Sequence, residues 1–404
     1  MNQNSLWPVL AAFCVTLAAV YLCDLWLANR SHVSPTFKRK PNELALNGLR
    51  GFVIFCVVIH HATIFYGYLR TGVWQTSFSY LQVHLGINKV FVLFMLSGFL
   101  FTTKLINAKF SSKPFNWLAF YIARTLRLVP MYLVFLAGSL CIVFVATHFT
   151  LQESFNALIK QIAQWLSFTL LGSPAINGFD MTPIAGITWS LPYEWFFYGL
   201  LPLVAYAIRP IPKWPYVTLA IACAICLYLW QPLWDFMTAF VFGIAMAALV
   251  RNPRISRFSN QLIGTLFAIM CIVVAAIAFP NGREIGSRIF IFMAVCVIAA
   301  GNDIFKLFKL RVFQSLGERL YSIYLLHSLV FYIAFEFVLS HQYAAALNAA
   351  GHWTVISVSF AIIIPICYVT YHFIERPIQQ FAPAIEQWLE SKFLNQAKAD
   401  IFRA

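Results

Sequence analysis

Apolar runs separated by short polar connections fill nearly the whole chain, at 7–29, 51–70, 85–103, 128–148, 187–208, 214–230, 232–250, 259–279, 288–305, 320–340 and 353–374. A helix needs about 17–25 apolar residues to cross a bilayer, so the pattern predicts an all-α, polytopic membrane protein with about eleven transmembrane helices. The first run is preceded by MNQNSLW, without a basic residue, and no small-residue cleavage site precedes Arg30, so it is expected to stay as a helix. The longest connection, 149–186, combines an amphipathic stretch around Gln161–Leu171 with a Gly/Pro/Asn-rich region at 172–186, suited to covering a site. Beyond Pro377, the residues Phe381, Ile385, Trp388, Leu389 and Phe393 recur at helical spacing, which predicts an interfacial cytoplasmic helix.

Composition removes the soluble alternatives. Across 404 residues, 61% are hydrophobic and only 10% charged, too little polar material for water-facing surfaces. The net charge of +14 would suggest a nucleic-acid partner in a soluble chain. Here the basic residues flank apolar runs, so membrane lipids are the expected partners and nucleic acid is not. If Lys38, Arg39 and Lys40 are cytoplasmic, strict alternation puts 23 of the 28 Lys and Arg residues on that side, which predicts an outside N-terminus and a cytoplasmic C-terminus in the inner or plasma membrane. The nine cysteines lie in or beside apolar runs and read as small hydrophobes. Cys223 and Cys226 form a lone C-x-x-C, so neither a disulfide framework nor a metal is expected.

Ionisable side chains inside a bilayer are expensive, and they mark candidate sites. In LNGLRGFVIFCVVIHHATIF, the eleven-residue step from Arg50 to His61 returns to within about 20° of the same helix face, roughly 16 Å deeper. This places a cation at the entrance and an imidazole mid-membrane along one seam, suited to an anionic acyl carrier and a general base. His60 points elsewhere and reads as structural. Glu194 in TWSLPYEWFFYGLLP sits about 10 Å below the outer surface with Ser190 and Tyr198 one turn away. It is a candidate to hold or charge-stabilise a catalytic histidine, or to bind a coupling ion in a transporter. Arg124 and Arg127 share a helix face and suit phosphate groups. His327 lies in a polar helix with Tyr321, Ser322 and Tyr324, either as a contact to the carrier or as a link between helices.

Together these segments resemble the acyltransferase-3 family of integral-membrane acyltransferases, over most of residues 44–380. Arg50 and His61 look like its Arg-x10-His motif; VFVLFMLSGFLFT, with Ser97 and Gly98, its FFVLSGFL segment; and ARTLRLVPMY its RRLLRIYP element. WSLPYEWFFY, with Glu194, is similar to WSLSVEWxFY, and LYSIYLLH and HFIERPI to the closing SYSLYLWH and IERP blocks. Pro192 and Tyr193 depart from the usual pair before the glutamate. The resemblance divides the chain into an extra N-terminal helix and basic linker (1–43), an acyltransferase-3-like membrane domain (44–380) and an amphipathic tail (381–404).

It also implies transfer of an acyl group, usually acetyl, from cytoplasmic acyl-CoA to a hydroxyl of a glycan or lipid-linked glycan on the far side. His61 and Glu194 would be catalytic; Arg50, Arg124 and Arg127 would bind acyl-CoA; Ser97, Ser190, Tyr198, Tyr324 and His327 would support them. Acetyl-CoA would be a co-substrate, with no permanently bound cofactor. No esterase-like domain follows the membrane part, so transfer would occur within the membrane or through a separate acceptor-side protein. The alternative from another class is a transporter or exporter of an organic anion or lipid-linked glycan, since midplane His and Glu also mark substrate paths.

Overall fold

The structure, a computed structural model, describes residues 7–30, 41–75, 80–110, 115–208, 212–230, 232–280 and 282–401. The principal helices are α1 (Trp7–Arg30), α2 (Pro41–Thr71), α3 (Tyr80–Lys109), α4 (Trp117–Ala146), α5 (Phe155–Leu166), α6 (Leu191–Ile208), α7 (Trp214–Trp230), α8 (Trp234–Leu249), α9 (Leu262–Ala278), α10 (Ile285–Ala299), α11 (Arg311–Glu318), α12 (Leu320–Tyr332), α13 (Ala349–Thr370) and α14 (Ala382–Ile401). Apart from one isolated bridge, Ile176 to Phe179, the described residues contain no β-structure. The chain is a multi-pass membrane protein. Each expected span falls on a helix, but only five described helices are long and apolar enough to cross a bilayer, or six if the pair bent by 101° at Val250–Asn252 counts as one. The helices near Leu10–Trp26, Trp214–Trp230, Leu262–Ala278 and Ile285–Ala299 are shorter apolar segments. The basic cluster Lys38–Lys40, Arg209 and Gln231 lie outside the described residues, as does the side chain of Phe393.

α2 is the central pillar, packed against α3, α10, α11 and α12. Where no hydrophobic effect pulls helices together, close approach comes from small residues, and the α3–α8 crossing shows this. A Cβ on Gly98 would lie 2.6 Å from the Phe240 carbonyl oxygen, so only glycine fits there. α6 follows a tight turn at Gly186–Ser190. Pro192 falls in its first turn, where the missing N–H costs nothing, so the departure from the family pattern is accommodated.

The expected amphipathic stretch at 161–171 is displaced. Ser154 caps a helix by accepting from Ala157 N at 3.3 Å, and α5 runs from Phe155 to Leu166. It ends where Phe168 and Thr169 take left-handed conformations and the Phe168 ring stacks on Tyr132 at 4.2 Å. The following loop is tied down. Trp165 Nε1 donates to Pro174 O at 2.9 Å, and Asn177 Nδ2 donates to Thr150 O at 2.8 Å. The tail helix α14 packs against α4, with Asn116 Nδ2 donating to Glu386 Oε1 at 2.5 Å.

The additional helix α1 packs on α13 and α11. Its Asp24 pairs with Arg311 and accepts from Tyr368 Oη at 2.5 Å, while Tyr368 also bonds Ser315 Oγ at 2.7 Å. Asp24→Ala would strand these partners. Buried unsatisfied groups cost about 1–3 kcal/mol, so thermal unfolding in detergent is expected at lower temperature, with activity per folded molecule retained. A variant as stable as the parent would assign α1 no clamping role.

Candidate functional site

Two chambers open along the seam of α2. The first has a volume of about 320 Å³ and is lined by Arg50 of α2, Ser97 and Lys104 of α3, Arg124 and Arg127 of α4, and Glu194 and Tyr198 of α6. Helical register produces this lining. Leu93, Ser97, Leu100 and Lys104 recur at three- and four-residue steps and form one stripe, as do Leu191, Glu194 and Tyr198. Four cations therefore face one carboxylate. None of the four makes an ion pair among the described residues. Arg124 Nε is buried without a hydrogen-bond partner, and the Arg124 guanidinium lies 5.2 Å from the Phe101 ring centre. The rest of that guanidinium interacts with Tyr198 and Glu194, and a buried donor left without a partner beside a cavity suits an anionic ligand.

The second chamber, also about 320 Å³, is lined by His60, His61, Trp74, Trp189, Phe236 and Arg283, among others. His61 belongs to this chamber and not to the first. Its Nδ1 lies 2.9 Å from His327 Nε2, and His327 Nδ1 lies 2.9 Å from the Ile323 carbonyl. A carbonyl only accepts, so His327 Nδ1 carries the hydrogen. In neutral His327 the Nε2 lone pair then takes the hydrogen of His61 Nδ1. This leaves His61 Nε2 as the basic nitrogen, with no protein partner among the described residues. A base whose tautomer is set by a second side chain is the arrangement general-base catalysis needs. His327 is itself fully buried.

Tyr324 and Val90 line both chambers and form the wall between them. Tyr324 Oη donates to Ile187 O at 2.5 Å, and since it has a single hydrogen, the 2.7 Å contact is Ser190 donating to Tyr324. The Gly186–Ser190 turn thereby becomes part of the wall.

Nine of the ten candidate site residues line these two chambers and the tenth, His327, is buried behind His61, but their pairing differs in one respect. Glu194 does not hold His61. It accepts from Tyr198 Oη and sits among the arginines, within electrostatic reach of Arg50 and Arg124. Its place at the start of α6 points it into the first chamber, beside the arginines expected at the opposite side from the outer surface near which the sequence set it, and the acid-histidine pairing is replaced by His61–His327. Sequence reasoning missed Lys104, counted only as a topology charge, although it lies seven residues from Ser97 and so on the same face. It also missed Trp74, Trp189 and Arg283, which come from three connections and carry no common spacing. The closing motifs meet as well: Ser322 donates to the buried Glu375, joining YSIYLLH to IERP. Among the described residues no group of three or more His, Cys, Asp or Glu side chains is arranged to hold a metal.

The acyltransferase-3 family model, an acyltransferase domain, matches residues 43–372. A Bacillus subtilis (strain 168) protein provisionally named peptidoglycan O-acetyltransferase YrhL is 24% identical over 83% of this chain and 54% of its own length. A Staphylococcus aureus (strain MRSA252) protein provisionally named O-acetyltransferase SAR0937 is 21% identical over 90% of this chain and 61% of its own. The chain thus spans between half and two thirds of the length of these relatives. No solved structure matches it.

Proposed function

The chain belongs to the acyltransferase-3 family, and from that premise we propose that it is a membrane O-acetyltransferase carrying an acetyl group from cytoplasmic acetyl-CoA to a glycan hydroxyl on the opposite side. The observation that carries this reading is the meeting of the two chambers at Tyr324, with unpaired cations on one side and the oriented His61 base on the other. The names of the relatives support O-acetyl transfer and, for one of them, a peptidoglycan acceptor. The charge distribution along the sequence supports a cytoplasmic position for the first chamber.

In this reaction the phosphates of acetyl-CoA sit by Arg50, Arg124, Arg127 and Lys104, where guanidinium forks and an ammonium offset their charge. The thioester reaches past Tyr324. His61 Nε2 takes the proton of the acceptor hydroxyl as its oxygen attacks the thioester carbonyl. The C–O bond forms, the C–S bond breaks, and the proton passes to the departing CoA thiolate. His327 holds the tautomer and spreads the charge that develops on His61. Glu194 offsets the arginines when the carrier is absent.

The reading is tested with purified chain in lipid nanodiscs and acetyl-labelled acetyl-CoA. Thioester cleavage that needs His61 supports it; label crossing a sealed vesicle with the thioester intact would support transport instead. A reporter fused after Arg257 should read cytoplasmic and one at Asn177 external, and the reverse would invert the direction of transfer. The wall makes its own prediction. Tyr324→Ala should raise acetyl-CoA hydrolysis in the absence of acceptor and lower productive transfer, whereas Tyr324→Phe, which keeps the ring, should leak less. Equal leakage in both variants would place the barrier elsewhere.

A further inference from the structure

The His61 chamber has recognition features that base catalysis does not require. Trp74 lies nearly parallel to the His61 ring, at 21° and 6.4 Å between centres, and is braced edge-on by Phe65 at 5.0 Å and Tyr68 at 5.7 Å. Trp189, in the lining of the same cavity, is held by Phe236 at 4.7 Å and remains 37% exposed. Flat aromatic walls that are braced and still accessible suit the apolar face of a sugar ring, which stacks while its rim hydroxyls stay free. The volume of about 320 Å³ is at the small end of the range for ligand sites, about 300–1,000 Å³. Arg283 reaches this chamber with an exposed side chain and no ion pair among the described residues. Together with the open His61 Nε2, the cavity offers two aromatic walls, one acceptor of a hydroxyl proton and one uncommitted cation.

We propose that this chamber binds an anionic pyranose, stacked on its tryptophan walls, with Arg283 pairing to a carboxylate or phosphate on the sugar that is acylated. The assignment rests on the acyl-transfer reading and narrows its acceptor from glycans in general to acidic sugar units. A planar guanidinium pairs with a carboxylate or phosphate through two hydrogen bonds and gains little from a neutral ring, so charge becomes the basis of selection.

The test uses the full chain in nanodiscs and three probes: methyl β-glucuronide, glucose 6-phosphate and neutral methyl β-glucoside, with binding read by saturation-transfer NMR in the absence of acetyl-CoA. At least one anionic probe should bind about tenfold more tightly than the glucoside, and the tighter of the two identifies carboxylate or phosphate. Arg283→Gln should level the affinities, Arg283→Lys should restore part of the preference, and Trp74→Ala should weaken all three sugars. Equal binding of neutral and anionic probes by the parent chain overturns the proposal, as does a preference that survives Arg283→Gln. So does displacement of methyl β-glucuronide by inorganic phosphate as effectively as by unlabelled glucuronide, since that would show a bare anion site. Because binding is read without the donor, loss of acetyl-CoA cleavage would remove the catalytic reading and leave this measurement intact, and the converse also holds.

Discussion

His61→Ala is expected to reduce acetyl transfer by a factor on the order of 10²–10⁴, the usual contribution of a positioned general base, with acetyl-CoA binding retained. The binding determinants lie in the other chamber, beyond Tyr324, so loss of the imidazole should appear in kcat and not in KM. His327→Phe removes the acceptor for His61 Nδ1–H while keeping a ring in the space. It should retain more activity than His61→Ala and displace the pH profile, because His61 is then free to present either nitrogen. His60→Ala should act mainly on stability, since that ring fills the space against Gly86. Equal loss of turnover in well-folded His60 and His61 variants would undo the assignment of the base.

The second large effect concerns the donor. Arg124→Gln combined with Arg127→Gln removes two of the four cations in the first chamber. A hydrogen bond to a charged group contributes about 1.5–3 kcal/mol, so each arginine that contacts phosphate should raise KM for acetyl-CoA by roughly 10- to 150-fold. The control is acetyl-pantetheine, which carries the same thioester without phosphates. The parent chain should strongly prefer acetyl-CoA, and the double variant should lose most of that preference. A preference that persists would mean the phosphates are held elsewhere, and the unpaired Arg124 Nε would need another explanation. Glu194→Gln should bind acetyl-CoA no more weakly than the parent, because it removes the carboxylate that competes for the same cations, while turnover falls as the Tyr198 contact is altered.

Much of this protein is determined locally, and that part was legible in the chain. Hydropathy marks where helices form because a bilayer leaves the backbone no other partners than its own carbonyls, and each apolar run does fall on a helix. Helical register is equally local. The eleven-residue step sets Arg50 and His61 along one side of α2, and the three-residue step sets Arg124 and Arg127 together, whatever packs around them. Span length was less legible: the ninth run was read through residue 305, but α10 ends at Ala299, and Ile304, Phe305 and Lys306 adopt left-handed conformations that no helix continues through. Hydropathy averages over composition and does not see such a turn.

What the tertiary structure decided is which polar groups meet. His61 and His327 are 266 positions apart, and no spacing rule connects them, because their contact depends on how α12 crosses α2. In sequence Glu194 has two candidate partners, a histidine and a coupling ion, and the start of α6 after the Gly186–Ser190 turn points it instead to a set of arginines. The division into two chambers also escapes the sequence. It depends on Tyr324 reaching Ile187 and Ser190 from another helix, a contact made by packing, while the residues on each side of that wall were already placed on their helix faces by the chain itself.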